Sequence, residues 1–300
     1  MPFDDFLSAI KPLSATMERN KVLVVITGGE PLLRKDLAEC GLQLRKNGFL
    51  WGIVTNGYAY DEEMHKKLMR AGMCSITVSL DGLKETHDKF RHREGSFDRV
   101  LNAIDLISAE KHLAYDIVTC VNPTNIDQLP EMKKLLLGHN VKAWRFFTIA
   151  PIGRAANDDD LQLDGPQLRR LMDFIVGLRK EGKIDAKFSC EAYVGPYERK
   201  VRDWFYFCRA GITIGSVLID GSISACPNID RSFVQGNIYR DDFMDVWNNR
   251  FVEFRDRKWM KTGQCAECKV YKNCLGGAMH LHSKDSGNIM LCHYEKITKG

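Results

Sequence analysis

Apolar and polar positions alternate in blocks along this chain, and the blocks read in turn as helix and strand. Phe3, Phe6, Leu7, Ile10 and Leu13 fall near helical spacing, which predicts an amphipathic helix over 2–19 that Pro12 ends or kinks. The apolar run Val22 to Ile26 is strand-like, and a helical stretch at 34–47 closed by Gly48 follows it. The pair of elements then recurs. Strand-like 50–54 precedes a helix at 61–71 ending at Gly72, and strand-like 75–79 precedes a helix at 97–111. Strand-like 116–121 precedes a helix at 127–138, and 143–149 is strand-like again. About five strands alternating with helices predict parallel β-α-β units, closed as an α/β barrel or open as a doubly wound sheet. Residues 151–165 read as a loop and 166–181 as a helix, and from 186 onward the alternation stops. Ile212–Ile214 and Ser216–Ile219 are strand-like, with Asp220-Gly221 as a hairpin turn between strands.

In parallel β-α-β folds functional groups collect at the C-terminal ends of the strands. Here those ends carry Gly28-Gly29-Glu30-Pro31, Thr55-Asn56-Gly57, Ser79-Leu80-Asp81-Gly82 and Asn122. Asn-Gly and Asp-Gly favour turns in any fold. Their recurrence at successive strand ends points to a ligand site. The side-chain-free Gly28 and Gly29 let backbone approach a ligand, Glu30 suits an ammonium group, and Arg91 suits a carboxylate. The phosphate-binding pattern G-x-G-x-x-G is not this one. Asp116, Glu191, Tyr193 and Asp230 are further acid–base candidates, with surface or hydrogen-bonding roles as the plainer reading. Trp51, Trp144, Phe146 and Phe147 read as core.

The 300 residues suffice for one large α/β domain and a smaller module. A formal net charge of +4, with lysine and arginine spread along the chain, is too small to argue for nucleic-acid or membrane binding, and neither is expected. The start Met1-Pro2-Phe3-Asp4-Asp5 is acidic and unlike a signal peptide, so a reducing cytoplasm is expected. There the ten cysteines stay thiols or bind metal. Cys265-x2-Cys268-x5-Cys274, with Cys292, offers four thiolates for a structural zinc or an iron–sulfur cluster, and spacing does not separate the two. Cys208 and Cys226 bracket the predicted hairpin and offer two more ligands, with His280, His282 and His293 nearby in sequence. Cys40, Cys74, Cys120 and Cys190 stand alone and read as buried thiols.

Taken together, these motifs resemble the radical S-adenosylmethionine (radical SAM) enzymes that carry a SPASM-type C-terminal domain. Gly28-Gly29-Glu30-Pro31 is similar to the family's GGEP motif, and Ser79-Leu80-Asp81-Gly82 with His87-Asp88-Lys89-Phe90-Arg91 to its SLDG and HDxxR stretch. The resemblance implies that Gly28, Gly29, Glu30, Pro31, Thr55, Asn56, Ser79, Asp81 and Arg91 lie at S-adenosylmethionine. It implies a partial (β/α)6 TIM-like barrel over 1–185, without its first strand and cluster loop, and a cysteine-rich cluster-binding domain over 186–300. By position Cys265, Cys268, Cys274 and Cys292 match one complete auxiliary [4Fe–4S] site. Cys208 and Cys226 match a degenerate second one, because Ala278 stands where the family has a cysteine. Relatives cleave S-adenosylmethionine to a 5′-deoxyadenosyl radical that abstracts hydrogen, commonly from a peptide or protein, with flavodoxin or ferredoxin as electron donor.

One departure bears on activity. The family's C-x3-C-x2-C loop occurs nowhere in these residues, and no cysteine precedes Cys40. The chain is expected to begin just after that loop, to leave strand 22–26 exposed at a sheet edge, and not to generate the radical by itself. Two other readings follow from the same residues: a non-catalytic peptide-binding or electron-transfer module with one auxiliary cluster, or a zinc-stabilised structural protein.

Overall fold

The computed structural model describes residues 1–156, 158–189 and 191–300, so Cys190 lies outside the described residues. Six parallel strands hydrogen-bond in chain order: β1 (Leu23–Ile26), β2 (Leu50–Thr55), β3 (Ser75–Ser79), β4 (Ala114–Val121), β5 (Ala143–Thr148) and β6 (Asp185–Phe188). Parallel neighbours in unbroken sequence order, with helices as the crossovers, wind the sheet one way into a partial (β/α)6 barrel. The helices are α1 (Phe3–Ile10), α2 (Leu13–Thr16), α3 (Leu37–Lys46), α4 (Glu62–Arg70), α5 (Lys84–Phe90), α6 (Ser96–Ser108), α7 (Leu129–Gly138) and α8 (Gly165–Glu181). Pro12 splits the expected 2–19 helix into α1 and α2. Asp61 caps α4 through Met64 N–H, and Asp164 with Gln167 forms a capping box on α8.

Three segments depart from the expectations. A sixth strand, β6, follows the five read from the sequence; only Ala186 and Phe188 of its four residues are buried, too short an alternation to stand out. Helix α5 was not expected either, because its residues are nearly all polar. Ile212–Ile214 forms no strand and makes only an isolated bridge with Ala210.

The strand pattern separates the two faces of the sheet. Trp51, Ile53, Ile76, Val78, Ile117, Val121, Trp144 and Phe146 point to the helices and are buried in the main core. Each indole N–H finds a partner there, Trp51 donating to the Ala71 carbonyl (3.0 Å) and Trp144 to Thr119 Oγ1 (2.9 Å). The intervening positions, among them Val25, Thr77, Asp116, Arg145, Phe147 and Lys187, form the inner face. Parallel strands buried on both faces read as continuous apolar runs, so polar residues at alternate positions mark an inner face that is not a sealed core. Among the described residues β1 pairs only with β2, and Leu23 and Val25 are 47% and 43% exposed along this edge strand.

Beyond β6 the chain builds a second apolar core around Phe233, Val246, Phe251, Phe254, Met260 and Met279. Its regular structure is small: an antiparallel sheet of β7 (Ser216–Val217), β8 (Ser222–Ser224) and β9 (Gly236–Asn237), and helices α9 (Phe243–Asp245), α10 (Val252–Arg255), α11 (Tyr271–Cys274) and α12 (His293–Lys299). The Asp220-Gly221 turn joins β7 to β8 as expected. Helix α12 returns to the barrel. Arg169 Nη1 donates to the Ile297 carbonyl (3.0 Å) and Lys296 Nζ to the Leu163 carbonyl (2.7 Å). Among the described residues no helix is long and apolar enough to cross a membrane.

Candidate cofactor site and metal centre

The C-terminal end of β1 turns sharply through Gly28 (φ +89°) and Gly29 (φ +54°). A Cβ at either would meet no atom within 4 Å, so glycine is required by backbone conformation rather than by crowding, and the space beside it is open. Glu30 then caps the short 3-10 helix Pro31–Leu33. Its Oε1 accepts from Leu32 N–H (3.0 Å) and Thr55 Oγ1 (2.7 Å), and its Oε2 accepts from Asn56 N–H (2.7 Å). A carboxylate has roughly four acceptor positions, so this one is fixed across β1 and β2 with capacity left for one more donor, such as an ammonium.

At the end of β3, Asp81 is wholly buried and pairs with Arg91 from the end of α5, Arg91 Nε lying 2.7 Å from Asp81 Oδ2. Asp81 Oδ1 accepts from Cys120 N–H (2.8 Å), and Asn125 Nδ2 donates to the Asp81 carbonyl (2.9 Å). The Arg91 side chain remains 28% exposed, so the carboxylate it was expected to meet is first that of Asp81, with one side of the guanidinium still open. Asp81 N–H donates to His87 Nδ1 (3.0 Å), which places the ring proton on Nε2, toward Ser96 Oγ (3.2 Å). Burial holds the His87 pKa below its ordinary 6.5. The unfolded chain therefore takes up the proton first, and the stability this group contributes, fully present above about pH 6.5, fades as pH falls below it. His87→Asn, which keeps an acceptor near Nδ1 and does not titrate, should flatten the loss of melting temperature between pH 7.5 and 5. An unchanged acid slope would remove His87 as its source.

Across the mouth, Glu191 accepts from Thr148 N–H (2.8 Å) and Thr148 Oγ1 (2.6 Å), and its Oε2 lies 3.5 Å from His293 Nε2. All three residues are buried. Cys120 is half-buried, with its thiol pushed up to about 12 by burial and then by Asp81. Of the other expected lone thiols, Cys40 is buried and Cys74 half-buried. Asp116 pairs with Arg145 on the inner face, Tyr193 packs on Tyr294 with ring centres 5.8 Å apart, and exposed Asp230 caps a turn through Ser232 N–H (2.8 Å). Thr148, Asn125 and Arg145 carry no linear motif and were missed by sequence reasoning. Only the strand assignment at 143–149 hinted at Thr148 and Arg145.

The four C-terminal cysteines share one electrostatic neighbourhood. Burial first, then the thiolates of Cys292, Cys265 and Cys268, push Cys274 up to about 12. Burial and the neighbouring Cys292 and Cys268 push Cys265 up to about 11. Cys292 is raised as well, although its Sγ accepts from Glu295 N–H (3.4 Å). Buried thiols at Cys265, Cys274 and Cys292, raised by burial and further by neighbouring cysteine charge, fit a bound cationic centre, which would favour their ionised form. Yet among the described residues no three His, Cys, Asp or Glu side chains are grouped as for a single metal ion. Zinc would draw its thiolates to about 3.8 Å from one another, from a Zn–S length of about 2.3 Å. His282 lies between the Gly276 (2.6 Å) and Gly287 (2.9 Å) carbonyls and ties the turn after Cys274 to the loop before Cys292. Ala278 is fully buried in the cap's apolar core, against which Cys208 and Cys226 also pack.

Residues 1–136 match the family model "Radical SAM superfamily", and residues 208–269 match "Iron-sulfur cluster-binding domain". The chain is 30% identical to an Fe-coproporphyrin III synthase of Methanosarcina barkeri, over 85% of this chain and 70% of that protein. It is also 30% identical to the mycofactocin maturase MftC of Mycolicibacterium smegmatis, over 90% of this chain and 69% of that one. The fold matches Streptococcus suis SuiB, solved bound to S-adenosylmethionine and also bound to precursor peptide SuiA. For the first of these the TM-score is 0.73 at 18% identity, over 92% of this chain and 66% of SuiB.

Proposed function

From the premise that this chain belongs to the radical SAM superfamily and carries a SPASM iron–sulfur domain, we propose that it is the cofactor-binding and cluster-binding body of an oxidoreductase that modifies a peptide or protein. S-adenosylmethionine and [4Fe–4S] clusters go with these domains, and when bound they supply a hydrogen-abstracting 5′-deoxyadenosyl radical. The observation that carries the reading is convergence. The ends of β1 to β5 bring Glu30, Thr55, Asp81, Cys120 and Thr148 to one mouth, and the chain segment from Cys292 to His293 reaches it from the cap.

We assign S-adenosylmethionine to Gly28, Gly29, Glu30, Pro31, Thr55, Asn56, Ser79, Asp81 and Arg91. In this assignment Glu30 orients the ammonium and Arg91 the carboxylate of its methionine part. One auxiliary [4Fe–4S] cluster is assigned to Cys265, Cys268, Cys274 and Cys292. The Cys208 and Cys226 position receives none, since the buried Ala278 offers no ligand there. The division at 185/186 is retained, with β6 straddling it. Radical generation is assigned to a form of the protein that also supplies C-x3-C-x2-C, which does not occur in these 300 residues, with a flavodoxin or ferredoxin as electron source. SuiB bound to its precursor peptide supports a peptide substrate. A tetrapyrrole is the second reading, favoured by the 30% identity to the coproporphyrin synthase.

After anaerobic reconstitution the chain should hold about four irons, as one four-cysteine cluster requires. It should also bind S-adenosylmethionine, and Glu30→Ala should weaken that binding by tenfold or more. About eight irons would overturn the single-cluster assignment. Stoichiometric zinc with no visible absorbance would favour the structural reading. Iron without S-adenosylmethionine binding would favour the non-catalytic module.

A further inference from the structure

The inner face of the sheet carries charges that neither the cofactor assignment nor the cluster assignment uses. Thr77 on β3 stands opposite Asp116 on β4, and Arg145 on β5 stands opposite Val118 two residues further along β4. Arg145 Nε lies 2.6 Å from Asp116 Oδ2, and its Nη2 donates to Thr77 Oγ1 at 3.1 Å. Thr77 Oγ1 in turn donates to Asp116 Oδ1 at 2.6 Å. Nη2 is held by its hydrogen bond to Thr77, Nε lies in ionic contact with Asp116 without a hydrogen bond of its own among the described residues, and the guanidinium carbon lies 5.5 Å from the Phe147 ring centre. The arginine side chain is still 34% exposed and that of Asp116 21%, and Nη1 takes no partner among the described residues.

The neighbouring register position adds a second observation. Arg145 stands directly opposite Lys187 on β6. Like charges in that relation repel. Lys187 is drawn off toward Asp185 (2.9 Å) and Asp203 (3.0 Å), leaving Arg145 with Asp116 alone. A half-buried ion pair is weak as a stabiliser, and branched apolar residues are the usual filling of a barrel interior. A planar fork fixed on rigid strands, with one edge open, has the form that takes a carboxylate in bidentate fashion.

We propose that Arg145, positioned by Asp116 and Thr77, binds a carboxylate of the substrate. This rests on the reading above that the substrate enters the partial barrel. The carboxylate belongs either to a peptide or to a tetrapyrrole propionate, and the two sources are separable. One probe pair is iron coproporphyrin III and its methyl ester, followed by Soret absorbance. The other is a short N-acetylated peptide with a free C-terminal carboxylate and the same peptide amidated, followed by calorimetry. All are tested on the reconstituted chain.

One of the two acids should bind at least tenfold more tightly than its neutral form. Arg145→Met should remove that preference, and Arg145→Lys should weaken it several-fold because the charge stays while the fork is lost. Melting temperature and iron content serve as controls, and if Arg145→Met does not fold, Arg145→Lys carries the test. Equal binding of acid and neutral forms, wild-type binding by the lysine variant, or no binding of either acid at millimolar concentration would each sink the proposal. Because iron content and S-adenosylmethionine binding are measured on the same preparation, such a result condemns Arg145 and leaves the family reading standing.

Discussion

Cys274→Ala should strip the cap of its iron and loosen the chain from about residue 263 to the last cysteine. This is the largest effect expected of any single substitution here. The segment has little regular structure to hold it: α11 is four residues long, and Leu275, Gly276 and Gly277 follow it with positive φ of 49°, 82° and 74°. Backbone so irregular is kept in place by what its side chains bind, and in small metal domains the metal-binding free energy, on the order of 10 kcal/mol, is folding free energy. The Cys274 thiol is pushed up to about 12, by burial first and then by Cys292, Cys265 and Cys268, so its ionised form depends on a bound cation. The measurements are iron per chain and limited proteolysis, with cuts expected in the cap while the barrel, which has its own core, stays resistant. Cys208→Ala is the contrast. It should keep the iron and cost only the packing of a small buried side chain, on the order of 1 kcal/mol. If the Cys274 variant kept its full iron, or the Cys208 variant lost it, the ligand assignment would have to be redrawn.

Asp81→Asn should destabilise the barrel by about 3 kcal/mol, because removing one partner of a buried pair leaves the other charge uncompensated. Asp81 is wholly buried, its carboxylate lies between Arg91 and Cys120 N–H, and its backbone bonds to Asn125 and His87, so the change touches β3, β4 and α5 together. Arg91 is partly exposed and can turn to solvent, which keeps the cost at the low end of the range for such pairs. For a domain of this size the drop in melting temperature should be roughly 6–12 °C. S-adenosylmethionine affinity should fall with it, since Arg91 loses the group that aims it. Replacing both partners, Asp81→Asn with Arg91→Met, should recover part of the stability and none of the binding. A single variant that melts within about 2 °C of wild type would show that the hydrogen bonds around Asp81 hold the site without the ion pair.

How much was legible beforehand depended on the range of the interaction. The strand ends were legible because glycine, asparagine and aspartate at the end of an apolar run are local signals, and the Cys265 to Cys292 set stood out as a pattern because its cysteines recur at short intervals. The motif Ser79 to Gly82 with Arg91 was legible as a pattern, but not that Asp81 and Arg91 would pair with each other. β6 stayed hidden because a four-residue strand with two buried side chains barely differs from loop. Thr148 and His293, 145 residues apart, meet only because β5 delivers one to the mouth and the cap returns the other.

The sequence by itself determined the alternation of strands and helices, the glycine-rich turn before Glu30 and the cysteines that gather in the cap. Each follows from periodicity, backbone conformation or ligand chemistry that acts over a few residues. Tertiary structure alone decided which of those polar groups face one another. The parallel register sets Asp116 beside Thr77 and Arg145 beside Lys187, and the curvature of the sheet turns them all to one inner face. Register is a property of hydrogen bonds between strands, and no residue's own neighbours in the chain encode it.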